Sequence, residues 1–243
     1  MRIVLPVLSD LLKILDTVEL GALFITVMFI LSITLNPRLT SRPWRWYAAT
    51  SIFNLAQVSL FLFARHYLDG LNPLIRTFIF LCTYAYTISL TVTVFEYRQH
   101  NILNRGIIIT TAIILIGYSQ PLWPDSVVST VRYSYALLYS LLLLYLYAKL
   151  GGKQYWSVGL FGFLYSANSM FLWLLGFLFG GTMTYNYQLF ETGFSLISTF
   201  GLGFAVALMH IDLQARQREE YMVQVEEANE LRRKAINVAA SNL

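Results

Sequence analysis

The chain has 243 residues, of which 57 % are hydrophobic and only 12 % are charged, and its mean hydropathy is +0.58. Soluble domains carry about 25 % charged residues, so this composition excludes a soluble globular protein and predicts an integral protein of a lipid bilayer. The net charge is +4, but the basic residues lie mainly between apolar runs, where they control topology rather than ligand choice. The sequence therefore predicts no nucleic-acid partner.

The first 16 residues are predicted to form an interfacial segment. Pro6, Asp10 and Lys13 interrupt their apolar character, and no small-residue cleavage site follows, which argues against a secretory signal peptide. A short amphipathic helix that lies at the membrane surface and leads into the first span fits residues 1–16 better.

Seven apolar runs are candidates for transmembrane helices, which need about 20 mostly apolar residues. We place them at 17–36, 47–67, 74–96, 106–121, 127–148, 156–179 and 187–209. Continuous apolarity of this length excludes barrel strands, in which polar and apolar residues would alternate over about ten residues. The sequence thus predicts an all-α polytopic protein with seven transmembrane helices in a membrane domain that covers residues 17–209.

The connectors between the spans predict the orientation of the chain. The odd connectors carry basic residues, namely Arg38, Arg42, Arg45, Arg98, Arg105, Lys149 and Lys153. The even connectors contain Asp69 and Asp125 and no base. Because Lys and Arg favour the cytoplasmic side, we expect the N-terminus outside and the C-terminus inside.

Polar side chains within the spans predict a ligand pocket near the outer face. Ionisable groups in a bilayer are costly and are therefore candidates for function. In three spans an arginine at the outer end shares a helical face with polar or aromatic groups below it, and an acid opens the last span. The candidate ligand-binding residues are Asn54, Gln57, Arg65, Arg76, Arg132, Tyr135, Tyr139 and Glu191.

Such a pocket would suit a small acidic or amphiphilic ligand, because arginine pairs with a carboxylate through two parallel hydrogen bonds. A structural interpretation of the same residues stays open. Arginines at the ends of spans can reach lipid phosphates, and polar side chains can bond neighbouring helices.

Two further patterns concern packing. Small residues recur in the last two spans at Gly159, Gly162, Gly193, Gly201 and Gly203, and small residues let helices approach closely. Trp44, by contrast, flanks the second span, where an aromatic side chain is expected to lie at the membrane–water interface.

No pattern typical of an enzyme occurs in the sequence. HExxH, GxSxG and phosphate-binding glycine motifs are all absent. His66, His100 and His210 fall on different spans or connectors, and the single Cys82 excludes a disulfide within one chain. The sequence therefore predicts no catalysis by this segment, no metal site and no cofactor. An undescribed membrane enzyme, or an enzymatic effector domain downstream, stays open as an alternative.

The last 34 residues, 210–243, which we call the tail, hold six acidic and five basic residues. No proline or glycine follows Gly203, and the Glu, Gln, Arg, Leu and Ala that dominate the tail are good helix formers. The last span is therefore predicted to continue into the cytoplasm as one helix.

Apolar residues at seven-residue spacing make the tail a candidate for a parallel coiled-coil homodimer. The first register places Leu208, Ala215, Met222, Asn229, Ile236 and Leu243 at one core position and Ile211, Arg218, Val225, Arg232 and Ala239 at the other. A rival stripe runs through Tyr221, Ala228, Leu231, Ala235 and Val238. We take Met222, Val225, Asn229 and Ile236 as the candidate signalling residues, with a single solvated helix as the alternative.

Seven spans, followed by a Glu- and Arg-rich helix that starts at ALMHIDLQARQREEYMVQVEEANELRRKA, resemble the membrane input module of bacterial sensor proteins. These are seven-helix receptors of the 7TMR-DISM kind, and similar membrane-associated sensors, which precede a histidine kinase or a diguanylate cyclase. The resemblance covers the chain as architecture and carries no sequence motif.

The resemblance implies a dimeric receptor of the bacterial inner membrane, as in two-component systems. It would pass a signal through span seven to a cytoplasmic effector, either beyond Leu243 or on a separate partner. The alternative hypothesis is a small-molecule transporter or channel whose helical tail serves only assembly.

Overall fold

A computed structural model describes residues 4–67, 73–98, 103–119, 125–178 and 185–241, with the side chains of all of these except 4–9, 125–133, 168–169, 171–178, 185–191 and 238–241. The described residues form seven α-helices and no strand. The helices are α1 Val4–Leu35, α2 Arg42–Tyr67, α3 Pro73–Arg98, α4 Leu103–Tyr118, α5 Asp125–Gly151, α6 Trp156–Leu178 and α7 Tyr185–Ser241. The predicted all-α class is confirmed.

Several of these helices have the length and composition of membrane spans. Within the described residues, stretches of α1, α2, α3, α5 and α7 are long and apolar enough to cross a bilayer, whereas α4 and the first part of α6 are shorter apolar helices. The chain is therefore a membrane protein by composition, and the full count of seven spans stays a prediction.

The helices pack as a closed ring. Each helix contacts the next one along the chain, α7 contacts α1, and α3 reaches across to α5. The core lies where these helices meet and includes the buried side chains of Ile30, Leu90, Val94, Leu143, Leu146 and Val206. Ring closure gives α7 two neighbours, α1 and α6, along the part that lies in the bundle.

α1 continues across the boundary that was predicted between the N-terminal segment and the first span. It runs without a break from Val4 to Leu35, so no helix end lies at residue 16. Leu12 and Asp16 are both buried, because α1 turns this side toward α2 and α7. The interfacial position of residues 1–16 stays a prediction.

Three glycines allow close contacts between helices, as predicted. A Cβ at Gly162 of α6 would collide with Tyr147 of α5, and one at Gly203 of α7 would collide with Thr26 of α1. Gly201 faces Phe161 in the same way. Gly159 and Gly193 instead have open space, so these two do not serve close packing.

The end of α5 is capped by its own glycine and by α3. Gly152 adopts the left-handed conformation, with φ of 58°, and its N–H donates to the Ala148 carbonyl at 2.9 Å. The Arg98 guanidinium donates to the carbonyls of Lys149 at 3.0 Å and Leu150 at 2.8 Å. These bonds satisfy carbonyls that a helix end leaves open and tie the ends of α3 and α5 together.

α7 is one uninterrupted helix of 57 residues. Its first part packs against α1 and α6, whereas nearly every residue from Ala215 to Asn237 is exposed. The predicted helical continuation of the last span through His210 is therefore confirmed as far as Ser241.

Candidate functional site

The structure brings the predicted pocket residues of α2 into the bundle interior. Asn54 is buried, and its Oδ1 accepts a long hydrogen bond of 3.5 Å from the Tyr165 hydroxyl. Gln57 and Arg65 are half-buried on the same helix. Arg65 is not free for a ligand, because its guanidinium lies 3.5 Å from the Asp16 carboxylate.

Among the other predicted pocket residues, those with described side chains are Arg76, Tyr135 and Tyr139. Arg76 is exposed on α3, where its backbone carbonyl accepts from the Tyr118 hydroxyl at 2.6 Å. Tyr135 and Tyr139 stack on each other along α5 with ring centroids 5.7 Å apart, and the Tyr139 hydroxyl bonds Thr87 at 3.2 Å. The side chains of Arg132 and Glu191 lie outside the described residues.

Asp16 is the centre of the polar cluster that sequence reasoning missed. Its side chain is 2 % exposed, and Oδ2 lies 2.7 Å from Nε2 of His66. The Thr192 hydroxyl donates to Oδ1 at 3.1 Å. Together with the Arg65 guanidinium, these partners satisfy a carboxylate that would otherwise be very costly to bury.

One turn farther along α1, a second acid repeats the link to α7. The Ser195 hydroxyl donates to Glu19 at 2.6 Å. We call Asp16, Glu19, Arg65, His66, Thr192 and Ser195 the Asp16 cluster. The sequence carries one signal for it, since both the acids of α1 and the hydroxyls of α7 are three residues apart and so share a helical face.

A small cavity lies between the helices and is lined by both apolar and polar side chains. Its volume is about 30 Å³. The polar side chains in its lining are Thr26, Tyr47, Thr50, Ser51, Asn54, Tyr86, Tyr147, Tyr165 and Thr199. This volume suits one or two water molecules, whereas sites for drug-sized ligands are roughly ten times larger. Of the predicted ligand residues whose side chains the structure describes, only Asn54 lines it.

Hydroxyl pairs join the helices around this cavity. The hydroxyls of Tyr86 on α3 and Tyr147 on α5 lie 2.6 Å apart, and the Thr50 hydroxyl donates to Ser89 at 2.9 Å. These four polar side chains are thus paired between helices, which is the kind of contact that the structural interpretation of the sequence expects.

His210, where α7 leaves the bundle, carries a second polar cluster. Its ring is fully buried. The Nε2–H donates to the Leu39 carbonyl at 2.5 Å, because a carbonyl can only accept. In the neutral ring Nδ1 then accepts from the Tyr97 hydroxyl, also at 2.5 Å. These bonds join α7 to α3 and to the loop between α1 and α2.

Trp44 completes this arrangement. Its indole stacks on the His210 ring with centroids 4.3 Å apart and an interplanar angle of 12°. The prediction that Trp44 faces the membrane interface is wrong, because its side chain is fully buried. We call Leu39, Trp44, Tyr97 and His210 the His210 cluster. Burial lowers the pKa of His210, and the bond to Leu39 opposes this only in part, so the cluster favours the neutral ring.

The start of the tail has two more attachments to the bundle. The Tyr155 hydroxyl donates to Asp212 at 2.6 Å, and Arg216 pairs with the same carboxylate at 3.0 Å. The bond from Tyr155, and then the charge of Arg216, lower the pKa of Asp212, while burial and this carboxylate raise the pKa of Tyr155 to about 12. Farther along, Arg218 donates to the Arg38 carbonyl.

Within the described residues, no group of three or more His, Cys, Asp or Glu side chains lies close enough to hold a metal ion. Comparison of the chain with protein-family models, with curated proteins and with solved structures gives no match.

The two clusters act on the same helix. Thr192 and His210 are 18 residues apart on α7, which is about 27 Å along a helix and close to the hydrocarbon thickness of a bilayer, about 30 Å. The arrangement ties each end of one membrane-length rod to neighbouring helices, and it continues that rod outside the bundle.

Proposed function

We propose that this protein is a membrane sensor module of the bacterial inner membrane. In the proposed topology seven helices span the bilayer, the N-terminus lies outside, and the tail lies in the cytoplasm. The basic residues of the odd connectors support this orientation. A signal from a ligand or from the membrane would pass through α7 and a dimeric tail to a cytoplasmic effector, either a kinase or a cyclase.

The observation that carries the proposal is the continuity of α7. A single helix from Tyr185 to Ser241 contains both the segment packed in the bundle and the exposed tail. Because a helix transmits rotation and translation along its axis, a change in packing at Thr192 would move the tail. A ligand can drive such a change only through a difference in its affinity for the two arrangements.

The His210 cluster would then set the resting position of the tail. Four side-chain and backbone partners hold α7 as it leaves the bundle. A movement of the tail must break or shift these bonds, so the cluster defines one of two states of the helix. The Asp16 cluster holds the same helix at the opposite end, where a signal from outside would arrive.

The proposal can be tested without knowing the ligand. The chain is fused through its tail to a dimeric histidine-kinase domain whose autophosphorylation depends on its entry helix, and the output is measured in membranes. His210→Phe and Trp44→Ala should change the output several-fold relative to the unaltered fusion. Identical output from the unaltered fusion and from both variants, at equal expression, would contradict transmission through α7.

Topology is tested separately, after Cys82 is replaced by serine. Single cysteines at Lys153 in an odd connector and at Asp125 in an even connector are labelled with a membrane-impermeant maleimide on intact cells. We expect labelling at Asp125→Cys and none at Lys153→Cys until the cells are permeabilised. The reverse pattern would place the tail outside and end the proposal.

The transporter or channel hypothesis has one observation in its favour, the hydroxyl-lined cavity between the helices. Purified protein in liposomes would show substrate uptake or conductance if this hypothesis holds. Uptake or conductance that persists after deletion of the tail would favour it over the sensor.

A further inference from the structure

α7 presents one apolar side to the outside of the bundle. Ile197 is 62 % and Leu208 63 % exposed, and Phe200 and Ile211 are also exposed on this side. Phe204, which lies between them, is half-buried and stacks on Phe29 of α1 with ring centroids 5.2 Å apart. The opposite side is buried against the other helices and includes Leu202, Val206, Met209 and His210. The bundle therefore fixes which direction each side of this helix faces.

Because α7 is one continuous helix, the angular position of each tail residue around its axis can be compared with that of Leu208. At about 100° per residue, Met222 lies about 40° from Leu208 around the axis, and Asn229 about 60° from it. Both are on the outward side, as is Ala215. Tyr221 and Leu231 lie about 140° from Leu208 in either direction, which is the side of His210. The first register thus continues the outward side of α7, and the rival stripe continues the buried side.

We propose that a second copy of this chain, in parallel orientation, covers the outward side of α7 from Ile197 in the bundle to Ile236 in the tail. The inference rests on the proposed function in that both require a dimer. It adds that the dimer interface begins within the membrane and that the tail uses the first register.

Geometry excludes the rival register for a straight helix. Two packed helices lie about 8–10 Å apart, so the two-fold axis of a parallel dimer runs about 4–5 Å from the axis of α7. If the rival register formed the interface, the two-fold axis would lie on the side of Tyr221 and Leu231 and would pass through the bundle, where α1 and α6 already lie. If the first register forms it, the two-fold axis lies on the side of Leu208, outside the bundle, and the two bundles stand back to back.

The chemistry of the stripe favours a second copy over lipid or a different protein. Acyl chains could cover Ile197, but they cannot follow the stripe to Met222 and Ile236, which lie on the exposed tail. A second copy continues the same stripe in both media. It also places Asn229 opposite an identical asparagine, an arrangement that fixes parallel register.

The charges beside the stripe are compatible with self-association. Residues that flank the first register across a parallel dimer pair as Gln214 with Glu219, Tyr221 with Glu226 and Ala228 with Arg233. None of these pairs sets like charges against each other.

Arg218 and Arg232 occupy core positions and oppose the dimer. The Arg218 side chain, however, donates to the Arg38 carbonyl of its own chain, and this bond holds the guanidinium away from the proposed dimer interface. Arg232 is exposed and long enough to extend its charge into water.

Cysteine crosslinking in native membranes tests the interface. Starting from Cys82→Ser, single cysteines replace Leu208, Ala215 and Met222 on the outward side, with Tyr221→Cys and Leu231→Cys as matched controls. Two differently tagged copies are co-expressed and oxidised. A parallel pair at a core position brings Cα atoms within the roughly 4.4–6.8 Å that a disulfide needs. We expect both tags in one crosslinked product for Ala215→Cys and Met222→Cys, at least five-fold above the controls.

Maleimide labelling of the reduced proteins confirms that each tail cysteine is reachable, so that a missing crosslink reflects distance. Crosslinks that favour Tyr221→Cys and Leu231→Cys would overturn the register. Products that contain one tag and another protein, or no product at any position, would overturn the second copy. If no crosslink forms but the output of the kinase fusion still changes with His210→Phe, the dimer interface is wrong and the proposed sensor function stands. If the outward cysteines crosslink but the output of the kinase fusion does not change with His210→Phe, the dimer interface stands and the proposed function is wrong.

Discussion

His210 has a hydrogen-bond partner on each ring nitrogen and an indole against its face. A phenylalanine in its place would keep the stacking and most of the volume. It would leave the partly buried Leu39 carbonyl and Tyr97 hydroxyl without their partner, and an unsatisfied polar group costs about 1–3 kcal/mol when it is fully buried. We expect His210→Phe to increase the mobility of a spin label at Ala215. Val223→Phe, an exposed change on the tail outside the proposed dimer interface, is the control, and equal spectra for both variants would contradict the role of the cluster.

Acid should weaken the same cluster. Burial lowers the pKa of His210 when α7 is held in place, whereas a released, hydrated ring has the ordinary pKa of about 6.5. The held state is therefore stabilised above about pH 6.5 and loses this contribution as the pH falls, because the released state binds the proton first. We expect spin-label mobility at Ala215 to rise between about pH 7 and 5, and His210→Phe to remove this dependence.

Asp16 should stabilise the bundle through its charge. Asp16→Asn keeps the shape but removes the negative charge that faces His66 and Arg65. A hydrogen bond to a charged group contributes about 1.5–3 kcal/mol, so we expect a loss of about 2 kcal/mol in unfolding free energy in detergent micelles. Asp10→Asn, an exposed change on the same helix, should stay within about 0.5 kcal/mol. Equal losses for the two variants would contradict a buried pair.

Single residues were the hardest feature to predict from the sequence. Asp16 stands near Asp10 and Lys13 and so resembles a surface segment, and its partners His66 and Thr192 are 50 and 176 residues away. Trp44 likewise has the composition of an interfacial residue but stacks on a ring that lies 166 residues later in the chain. Burial at both positions depends on contacts between distant helices, which local pattern does not contain.

At the scale of helices, close approach between α5 and α6 depends on one glycine. Gly162→Ala would push a Cβ into the side chain of Tyr147, close to its backbone, where little movement is possible. Such overpacking costs about 1–3 kcal/mol. Gly159→Ala, one turn away on the same helix with open space around it, should be neutral or stabilising, since alanine favours helix by up to about 1 kcal/mol. Thermal unfolding in detergent would compare them, and equal melting temperatures would refute the contact.

The helices themselves could be predicted, but their faces could not. Long apolar runs give the positions of α2 and α3, and the lack of proline or glycine after Gly203 predicts the continuous α7. In a bilayer, however, the lipid-facing side of a helix is as apolar as its packed side. The usual amphipathic signal is therefore weak, and it could not show that Gly162 and Gly203 make close contacts while Gly159 and Gly193 do not.

At the scale of the whole molecule, the ring of helices gives the tail a defined angular phase. If the tail transmits rotation, an insertion between Gln217 and Arg218 should act according to its length. Two alanines rotate the distal tail by about 200°, whereas seven rotate it by about 20° in the opposite sense. We expect the kinase fusion to lose its response to His210→Phe with two inserted alanines and to keep it with seven. Equal responses from the two insertions would show that the tail does not transmit the signal as a rotation about its axis.

The tie between His210 and the Leu39 carbonyl has a thermodynamic consequence. Coupling between two binding sites is reciprocal. If a ligand near the Asp16 cluster changes the affinity of the tail for a partner, that partner changes the affinity for the ligand by the same factor. A protein that binds the tail and separates it from the loop before α2 would thereby change ligand affinity near the Asp16 cluster, which lies about one membrane thickness away. If the protein is a sensor as proposed, an effector bound to the tail would alter the response of that same sensor, and the abundance of the effector in the cell would set the sensitivity of the response.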